Sequence, residues 1–262
     1  MAQNLSQPSG WKGSTVTDPT RPRVYTGFFD GSNEAERQFL AALPKVTKFI
    51  NDRLKAGGYA FDVHQAEIAT NFIGEGGYYP LHWNYWQHID GFGALGIDTF
   101  VQRRQALKRW VPDSVMKLAD DPHHVGKTLN EKRETVTFLT DLDMEQGLYA
   151  NAGMFALCIA TAANDIPGFA QLPRKVRFFW ATVYYNSGEG KGRSLLKQHG
   201  VDYYKTPWKG PENMMSPLFN ALWRMRTMET LLQALWPGTD RPPPAAPSSN
   251  PDPASSEKDP NS

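Results

Sequence analysis

The chain has 262 residues, and its 28 Lys and Arg nearly balance its 27 Asp and Glu, leaving a formal net charge of +1 at pH 7. Nucleic-acid-binding proteins need concentrated positive charge to bind phosphates, so this balance argues against that class. Cys158 is the only cysteine, which excludes an intrachain disulfide, and its apolar surroundings predict a buried, inert thiol. No apolar run reaches the length of a membrane span.

Both ends of the chain differ in composition from its middle. Residues 1–30 contain Ser, Pro, Gly and Thr without hydrophobic periodicity, and we expect a loose N-terminal segment there. Residues 237–262 form a Pro-rich tail with too little apolar surface to offset the entropy of ordering, so we predict disorder. The opening "MAQNLSQPSGWKG" lacks the basic and apolar regions of a signal peptide. One globular domain over 31–236 remains.

The hydrophobic period of that domain is helical. Residues 33–56 begin at a candidate cap, Asn33, and end before Gly57, with Pro44 expected to kink or split the helix. Their apolar stripe consists of Phe39, Leu43, Val46, Phe49, Ile50 and Leu54. The run "DVHQAEIATNFIG" repeats the pattern with Val63, Ala66, Ile68 and Phe72 and ends at Gly76-Gly77.

Further helices are predicted over 99–110, 112–119, 142–164, 173–186, 190–199 and 213–235. Alternating strand patterns are nearly absent, although "GFGALGI" is compatible with a short hairpin or turn. The fold class is therefore mainly α.

Glu75 lies between an apolar helix and a cluster of aromatic rings, in "NFIGEGGYYPLHWNYWQHIDGFGALGID". The negative end of the helix dipole and desolvation by the rings both raise the pKa of a carboxyl group at this position. A carboxyl group that stays protonated near neutral pH can donate a proton to a glycosidic oxygen. Gly76 and Gly77 would let a bulky substrate approach. The alternative is a solvated glutamate at a helix end.

A second polar segment follows the predicted helix 173–186. Tyr185 and Asn186 supply a phenol and an amide, groups that can bind the hydroxyl and acetamido groups of a sugar. The alternative is a helix C-cap rich in Asn and Gly.

Four motifs follow one another along the chain: "E-G-G", "G-A-L-G-I", "N-A-G-M-F-A-L" and "Y-Y-N-S-G-E-G". Their order resembles the lysozyme-like lytic transglycosylases and goose-type lysozymes, over about residues 60–200. Those enzymes have a catalytic Glu followed by Ser or Gly, a "G-A-x-G-L-M-Q" turn, an "N-I-x-A-G-x-x-Y-L" helix and a "Y-N-A-G-P-G" signature. The positions that match them are Glu75, Gly93, Ala94, Asn151, Gly153, Tyr185 and Asn186.

The resemblance implies a lysozyme-like fold and cleavage of the β-1,4 bond between N-acetylmuramic acid and N-acetylglucosamine in peptidoglycan. Glu75 would protonate the leaving oxygen. If the muramic 6-hydroxyl then attacks, the product is a 1,6-anhydro sugar and no second carboxylate is needed. If water attacks, a second acid activates it, and Asp90 and Asp98 are the nearest candidates, although both are also ordinary turn residues.

The chain departs from the family pattern between Glu75 and Gly93. The spacing is longer, and the inserted segment carries Tyr78, Tyr79, Trp83, Tyr85 and Trp86, which are candidate platforms for sugar rings. The customary Met-Gln is missing. Alignment on the glycines puts Asp98 in the place of that Met, whereas alignment with the goose-type "GFGLMQVD" puts it on the downstream acid.

No cofactor is expected, and two acidic runs are candidate metal sites. The run "DDPHH" at 120–124 is more typical of a solvated loop than of a metal site. The run "DLDMEQ" at 141–146 could hold calcium, but it fits a charged helix start better.

The expected partner is therefore the glycan strand of peptidoglycan, in the periplasm or cell wall of a target cell. Without a signal peptide, such an enzyme would be a phage lysin released by lysis or an antibacterial effector exported by a dedicated machine, with a neutralising immunity protein in the producing cell. Two alternatives stay open. One is a chitinase- or chitosanase-like glycosidase, and the other is a non-catalytic glycan-binding or virion structural domain.

Overall fold

The computed structural model describes residues 34–75, 103–129, 135–139, 142–211, 213 and 216–238. Within these residues the chain forms seven α-helices: α1 Glu34–Ala56, α2 Gln65–Glu75, α3 Arg104–Leu107, α4 Asp113–Leu118, α5 Met144–Asp165, α6 Arg174–His199 and α7 Pro217–Leu235. Three short 3-10 segments lie at Pro122–His124, Phe169–Gln171 and Val201–Lys205. The mainly α fold class is confirmed, while both predicted terminal segments lie almost wholly outside the described residues.

The first helix continues through its proline. Pro44 is exposed and α1 runs from Glu34 to Ala56 as one helix, so the proline does not split it. Five residues of the predicted stripe are fully buried, and Phe49 is half-buried. The rings of Phe49 and Tyr149 pack edge to face, with their centres 5.3 Å apart. The helix ends where predicted, because Gly58 adopts a φ of 79° and the N–H of Tyr59 then donates to the carbonyl of Leu54 at 3.1 Å.

Helix α5 is the centre of the domain and packs against α1, α2 and α6. It is apolar on nearly all sides, which is typical of a helix surrounded by others. Asp143 begins it with a reciprocal capping box to Gln146. Gly153 permits a close approach to the turn after α3, since a Cβ there would lie 2.3 Å from Cγ2 of Val111. Cys158 is buried in this helix, as predicted.

Helices α6 and α7 pack against each other, and α7 also covers α2. The predicted break in α6 is confirmed: Gly188 has φ 73° and ψ 163°, so the helix is kinked there and a shorter helical stretch follows. A residue with a side chain rarely adopts this φ, which explains the glycine. The kink lies directly after Tyr185 and Asn186.

Two features differ from the sequence prediction. Strands β1 Val125–Leu129 and β2 Thr135–Leu139 form an antiparallel pair, with Val125 opposite Leu139. The β-branched run "TVTFL" is typical of a strand. The sequence prediction missed this short run because helical periodicity dominates the rest of the domain. The predicted helix 99–110 is helical only over Arg104–Leu107 in its described part. Among the described residues no helix is long and apolar enough to cross a membrane.

Candidate functional site at the carboxyl end of α2

Helix α2 ends at Glu75, so the sequence predicts correctly where the backbone of this residue lies. Two contacts anchor the start of the helix. Oε2 of Glu67 accepts a hydrogen bond from the N–H of His64 at 2.6 Å and one from Nη1 of Arg174 at 2.7 Å. Glu67 is fully buried, and burial raises its pKa while Arg174 opposes the shift. The pair therefore ties the first turn of α2 to the first turn of α6.

A buried arginine lies against the last turn of α2. Nη1 of Arg224 donates to the carbonyl oxygen of Asn71 at 3.2 Å and to its side-chain oxygen at 2.9 Å. A Cβ on Gly74 would lie 2.7 Å from Cζ of Arg224, so the missing side chain makes room for the guanidinium group. Arg224 is 2% exposed.

Four asparagines extend this contact into a chain of hydrogen bonds. Nδ2 of Asn71 donates to Oδ1 of Asn151 at 3.1 Å, linking α2 to α5. Oδ1 of Asn220 accepts from Nε of Arg224 and from Nδ2 of Asn186, both at 2.8 Å, linking α7 to α6. We call these five residues the amide network: Asn71, Asn151, Asn186, Asn220 and Arg224.

The amide network contains residues from two of the four sequence motifs. Asn151 comes from the third motif and bonds directly to Asn71 on α2, whereas Asn186 comes from the fourth motif and reaches Asn71 through Asn220 and Arg224. Tyr185 also contacts Arg224, whose Cζ is 5.8 Å from the centre of the Tyr185 ring. Asn151, Tyr185 and Asn186 therefore converge on the same end of α2.

The hydrogen bonds of Asn186 limit what it can offer a ligand. Its amide nitrogen donates to the carbonyl of Thr182 at 3.1 Å as well as to Asn220, which uses both amide hydrogens. The side chain is exposed, and its Oδ1 is the atom left to accept a hydrogen bond. Asn186 can thus bind a hydroxyl group or an amide N–H rather than an amide carbonyl.

The remaining candidate residues lie outside the described residues, which leave out 76–102. This range contains Tyr78, Tyr79, Trp83, Trp86, Asp90, Gly93, Ala94 and Asp98. For Glu75 itself the structure describes the helical backbone. The roles of Glu75 and of the residues in 76–102 in catalysis and sugar binding stay predictions.

Sequence reasoning missed Asn71, Asn220 and Arg224. The signal was present: each is a polar residue within an otherwise apolar helix, in "IATNFIG" or "LFNALWRM". Buried polar side chains usually have a hydrogen-bond partner, so polar residues at such positions indicate contacts with other parts of the chain. The partner of each lies on a different helix, which one sequence does not reveal.

Residues of the two acidic runs, 120–124 and 141–146, have partners within the protein. Asp120 is paired with Arg104, and Asp121 accepts from the N–H of His123 at 2.9 Å. Asp143 caps α5 and Glu145 binds Lys45, which confirms the charged helix start, while Asp141 lies outside the described residues. No cluster of three or more His, Cys, Asp or Glu in the described part of the chain is arranged to hold a metal ion.

A further charged cluster lies beside the amide network on α6. The phenol of Tyr184 donates to Oδ2 of Asp165 at 2.9 Å, and Nε of Arg193 donates to the same oxygen at 2.7 Å. Burial and this hydrogen bond raise the pKa of Tyr184 well above its usual range. These contacts fasten the end of α5 to both halves of the kinked helix and hold the kink at Gly188 in place.

Comparison with known proteins gave no match: no family model, no curated protein and no solved structure is significantly similar to this chain.

Proposed function

We propose that the chain is a peptidoglycan-cleaving muramidase, either a lytic transglycosylase or a lysozyme-type hydrolase, with Glu75 as its general acid and base. The observation that carries the proposal is the amide network. It joins Asn151 and Asn186, from two separate motifs, to the helix turn that ends in Glu75. Residues that merely resembled a motif by chance would have no reason to meet at the same helix end.

The proposed reaction uses Glu75 twice, first as an acid and then as a base. Glu75 protonates the glycosidic oxygen as the sugar approaches an oxocarbenium-like state. The same carboxylate then deprotonates either the muramic 6-hydroxyl group or a water molecule. Arg224 holds the last turn of α2 by its carbonyl, and Oδ1 of Asn186 accepts a hydrogen bond from a sugar hydroxyl or acetamido N–H. The rings between Tyr78 and Trp86 supply the sugar platforms.

Its place of action would be the cell wall of a target cell. A muramidase is harmful to the cell that makes it, so the producing cell would hold a neutralising immunity protein. Both statements rest on the proposed activity.

The test is digestion of purified peptidoglycan sacculi, with the soluble products identified by mass spectrometry. The variants are Glu75→Gln and a matched control, Glu145→Gln, which removes a carboxylate at the start of α5. Wild type and control are expected to release muropeptides, and Glu75→Gln to be slower by about a hundredfold or more, the usual contribution of a general acid.

The products also separate the two mechanisms. Anhydro-muropeptides indicate a lytic transglycosylase, whereas reducing-end muropeptides indicate a hydrolase and direct attention to Asp90 and Asp98. Cleavage of chitin oligomers but not of sacculi would favour a chitinase-like enzyme instead. Absence of any wild-type product from both substrates would overturn the proposal.

A further inference from the structure

A groove of about 360 Å³ lies between α7 and the chain segment around the 3-10 turn Val201–Lys205. Tyr204, Pro207 and Trp208 line it from that segment, and Leu222 and Met225 line it from α7. Leu222 and Met225 are only 7% and 3% exposed, whereas Tyr204 and Trp208 are partly exposed. The groove therefore has an apolar floor and two accessible aromatic rings.

Trp208 is held in place by its neighbours. Its Nε1 donates a hydrogen bond to the carbonyl oxygen of Pro211 at 3.0 Å, and its ring packs against Phe219 with the centres 5.4 Å apart. Gly210 lies against the same ring, because a Cβ there would be 3.0 Å from Cζ2 of Trp208. A ring that is fixed beforehand binds a ligand without the entropy cost of being ordered first.

The charged residues around the groove are paired with one another. Glu229 lies 3.3 Å from Nζ of Lys175 and 3.3 Å from Nη1 of Arg226. Nζ of Lys205 lies 3.0 Å from Oδ1 of Asp202. These pairs already use the three cations that line the groove, so an uncharged, apolar ligand fits it better than an ion does.

Proline-rich segments are ligands of this kind. They form a polyproline II helix in advance, lose little entropy on binding, and dock with a P-x-x-P spacing in apolar grooves lined by aromatic rings. The chain carries such a segment itself, "PPPAAP" at 242–247, in which Pro244 and Pro247 have that spacing. No charged residue occurs between Arg241 and Asp252. The tail therefore has the chemistry that the groove accepts.

The tail also begins within reach of the groove. Helix α7 ends at Leu235, and Gly238 has a φ of 84°, a conformation typical of turns. A chain that reverses direction there can run back along α7. The helical rise places Met225 about 15 Å before Leu235, and the polyproline II rise places Pro243 about 15 Å after Gly238. The prolines therefore come level with the groove.

We propose that residues 242–247 of the chain's own C-terminal tail dock in this groove as a polyproline II helix, with their prolines against Tyr204 and Trp208. The tail has too little apolar surface to order by itself, and the preformed groove supplies the burial that it lacks. A weak contact is sufficient, because a short tether gives an effective concentration in the millimolar range. The inference does not depend on the proposed muramidase activity.

Paramagnetic relaxation measured by NMR tests the contact in the full chain. A spin label is attached to Ser248→Cys, directly after the docking segment, and the buried Cys158 does not compete for it. The label is expected to remove most of the intensity of the indole N–H signal of Trp208. Trp208→Phe, which deletes this signal, identifies it among the tryptophans.

Two sets of proline changes provide matched variants. Replacing the four prolines within 242–247 by Ser should restore the Trp208 signal, whereas replacing Pro251 and Pro253, which lie outside the docking segment, should leave it broadened. Tyr204→Leu removes one ring of the groove but keeps an apolar side chain next to Phe179, and it should also restore the signal. Thermal unfolding monitors whether this variant folds.

A Trp208 signal that keeps its intensity in the spin-labelled protein would overturn the inference. So would broadening that survives the loss of the four prolines, because the tail would then be near the groove only through its tether. A mixture of isotope-labelled protein without spin label and spin-labelled protein without isotope identifies the occupant. Broadening of Trp208 in this mixture would assign the groove to the tail of a second copy and overturn docking within one chain.

Discussion

The side-chain amide of Asn71 on α2 donates a hydrogen bond to Oδ1 of Asn151 on α5 at 3.1 Å, although the two residues are 80 positions apart. Both side chains are fully buried. A buried amide without its partner costs about 1–3 kcal/mol, more than the hydrogen bond itself contributes. The pair therefore fixes how α2 crosses the central helix, and with it the position of the turn that carries Glu75.

We predict that Asn71 and Asn151 are energetically coupled. Asn151→Ala removes the acceptor of the Asn71 side-chain N–H, and Asn71→Ala removes the donor to Asn151 together with an acceptor of Arg224, so each change should lower the free energy of unfolding by about 1–3 kcal/mol. The double change should cost less than the sum of the two, with a coupling of at least about 0.5 kcal/mol. Urea unfolding of the four proteins measures this. Additive costs would mean that the bond does not join the two helices.

Arg224 and Arg226 form a matched pair on α7. Arg224 is buried and donates to Asn71 and Asn220, whereas Arg226 is partly exposed and contacts Glu229 at 3.3 Å. Arg224→Gln should lower the free energy of unfolding by about 2–4 kcal/mol because it leaves buried acceptors unpaired. Arg226→Gln should change it by less than about 0.5 kcal/mol. Equal effects in chemical denaturation would contradict a supporting role for the amide network.

Two glycines should respond to alanine in opposite ways. A Cβ on Gly153 would meet Cγ2 of Val111 at 2.3 Å and the carbonyl oxygen of Trp110 at 3.0 Å. Gly153→Ala should therefore destabilise the protein by about 1–3 kcal/mol. Gly190→Ala meets no neighbouring atom and should stabilise it by up to about 1 kcal/mol. Thermal unfolding measures the change in stability of each variant. A change of the same sign in both variants would refute the prediction.

The stability that Tyr184 contributes should depend on pH. Burial and the hydrogen bond to Asp165 raise the pKa of Tyr184, so the folded protein holds the phenolic proton more tightly than the unfolded chain, where the pKa is about 10. The contribution is complete below about pH 10 and is lost as the pH rises further.

Tyr184→Phe removes both the hydrogen bond and the titrating group. At pH 7 the variant should be less stable than the wild type by about 1 kcal/mol. The difference in free energy of unfolding between wild type and variant should narrow as the pH rises above about 10. Above that pH the unfolded wild type gains stability by releasing the phenolic proton, which the folded protein still holds, whereas Tyr184→Phe has no such proton. Urea unfolding at pH 7, 9 and 11 tests this. A gap that is constant over this range would show that Tyr184 does not titrate between the folded and unfolded states.

Helical periodicity predicted most elements because it is a local property of the sequence. The apolar stripe of α1, the end of α2 and the break in α6 can be read from residues within a few turns of one another. The exceptions have local causes as well. Pro44 lies on the exposed side of α1 and does not break it, and the strands β1 and β2 are short.

For the candidate site, the sequence by itself determined which groups are available and where on each element they lie. Glu75 ends its helix, and Tyr185 and Asn186 precede a glycine kink, because apolar runs and glycines position the helix boundaries. Only the tertiary structure decided that Asn151 and Asn186 reach the turn of α2 through Asn71, Asn220 and Arg224. Those contacts join residues up to 153 positions apart. Their partners are chosen by how α2, α5, α6 and α7 pack, which depends on the whole core at once.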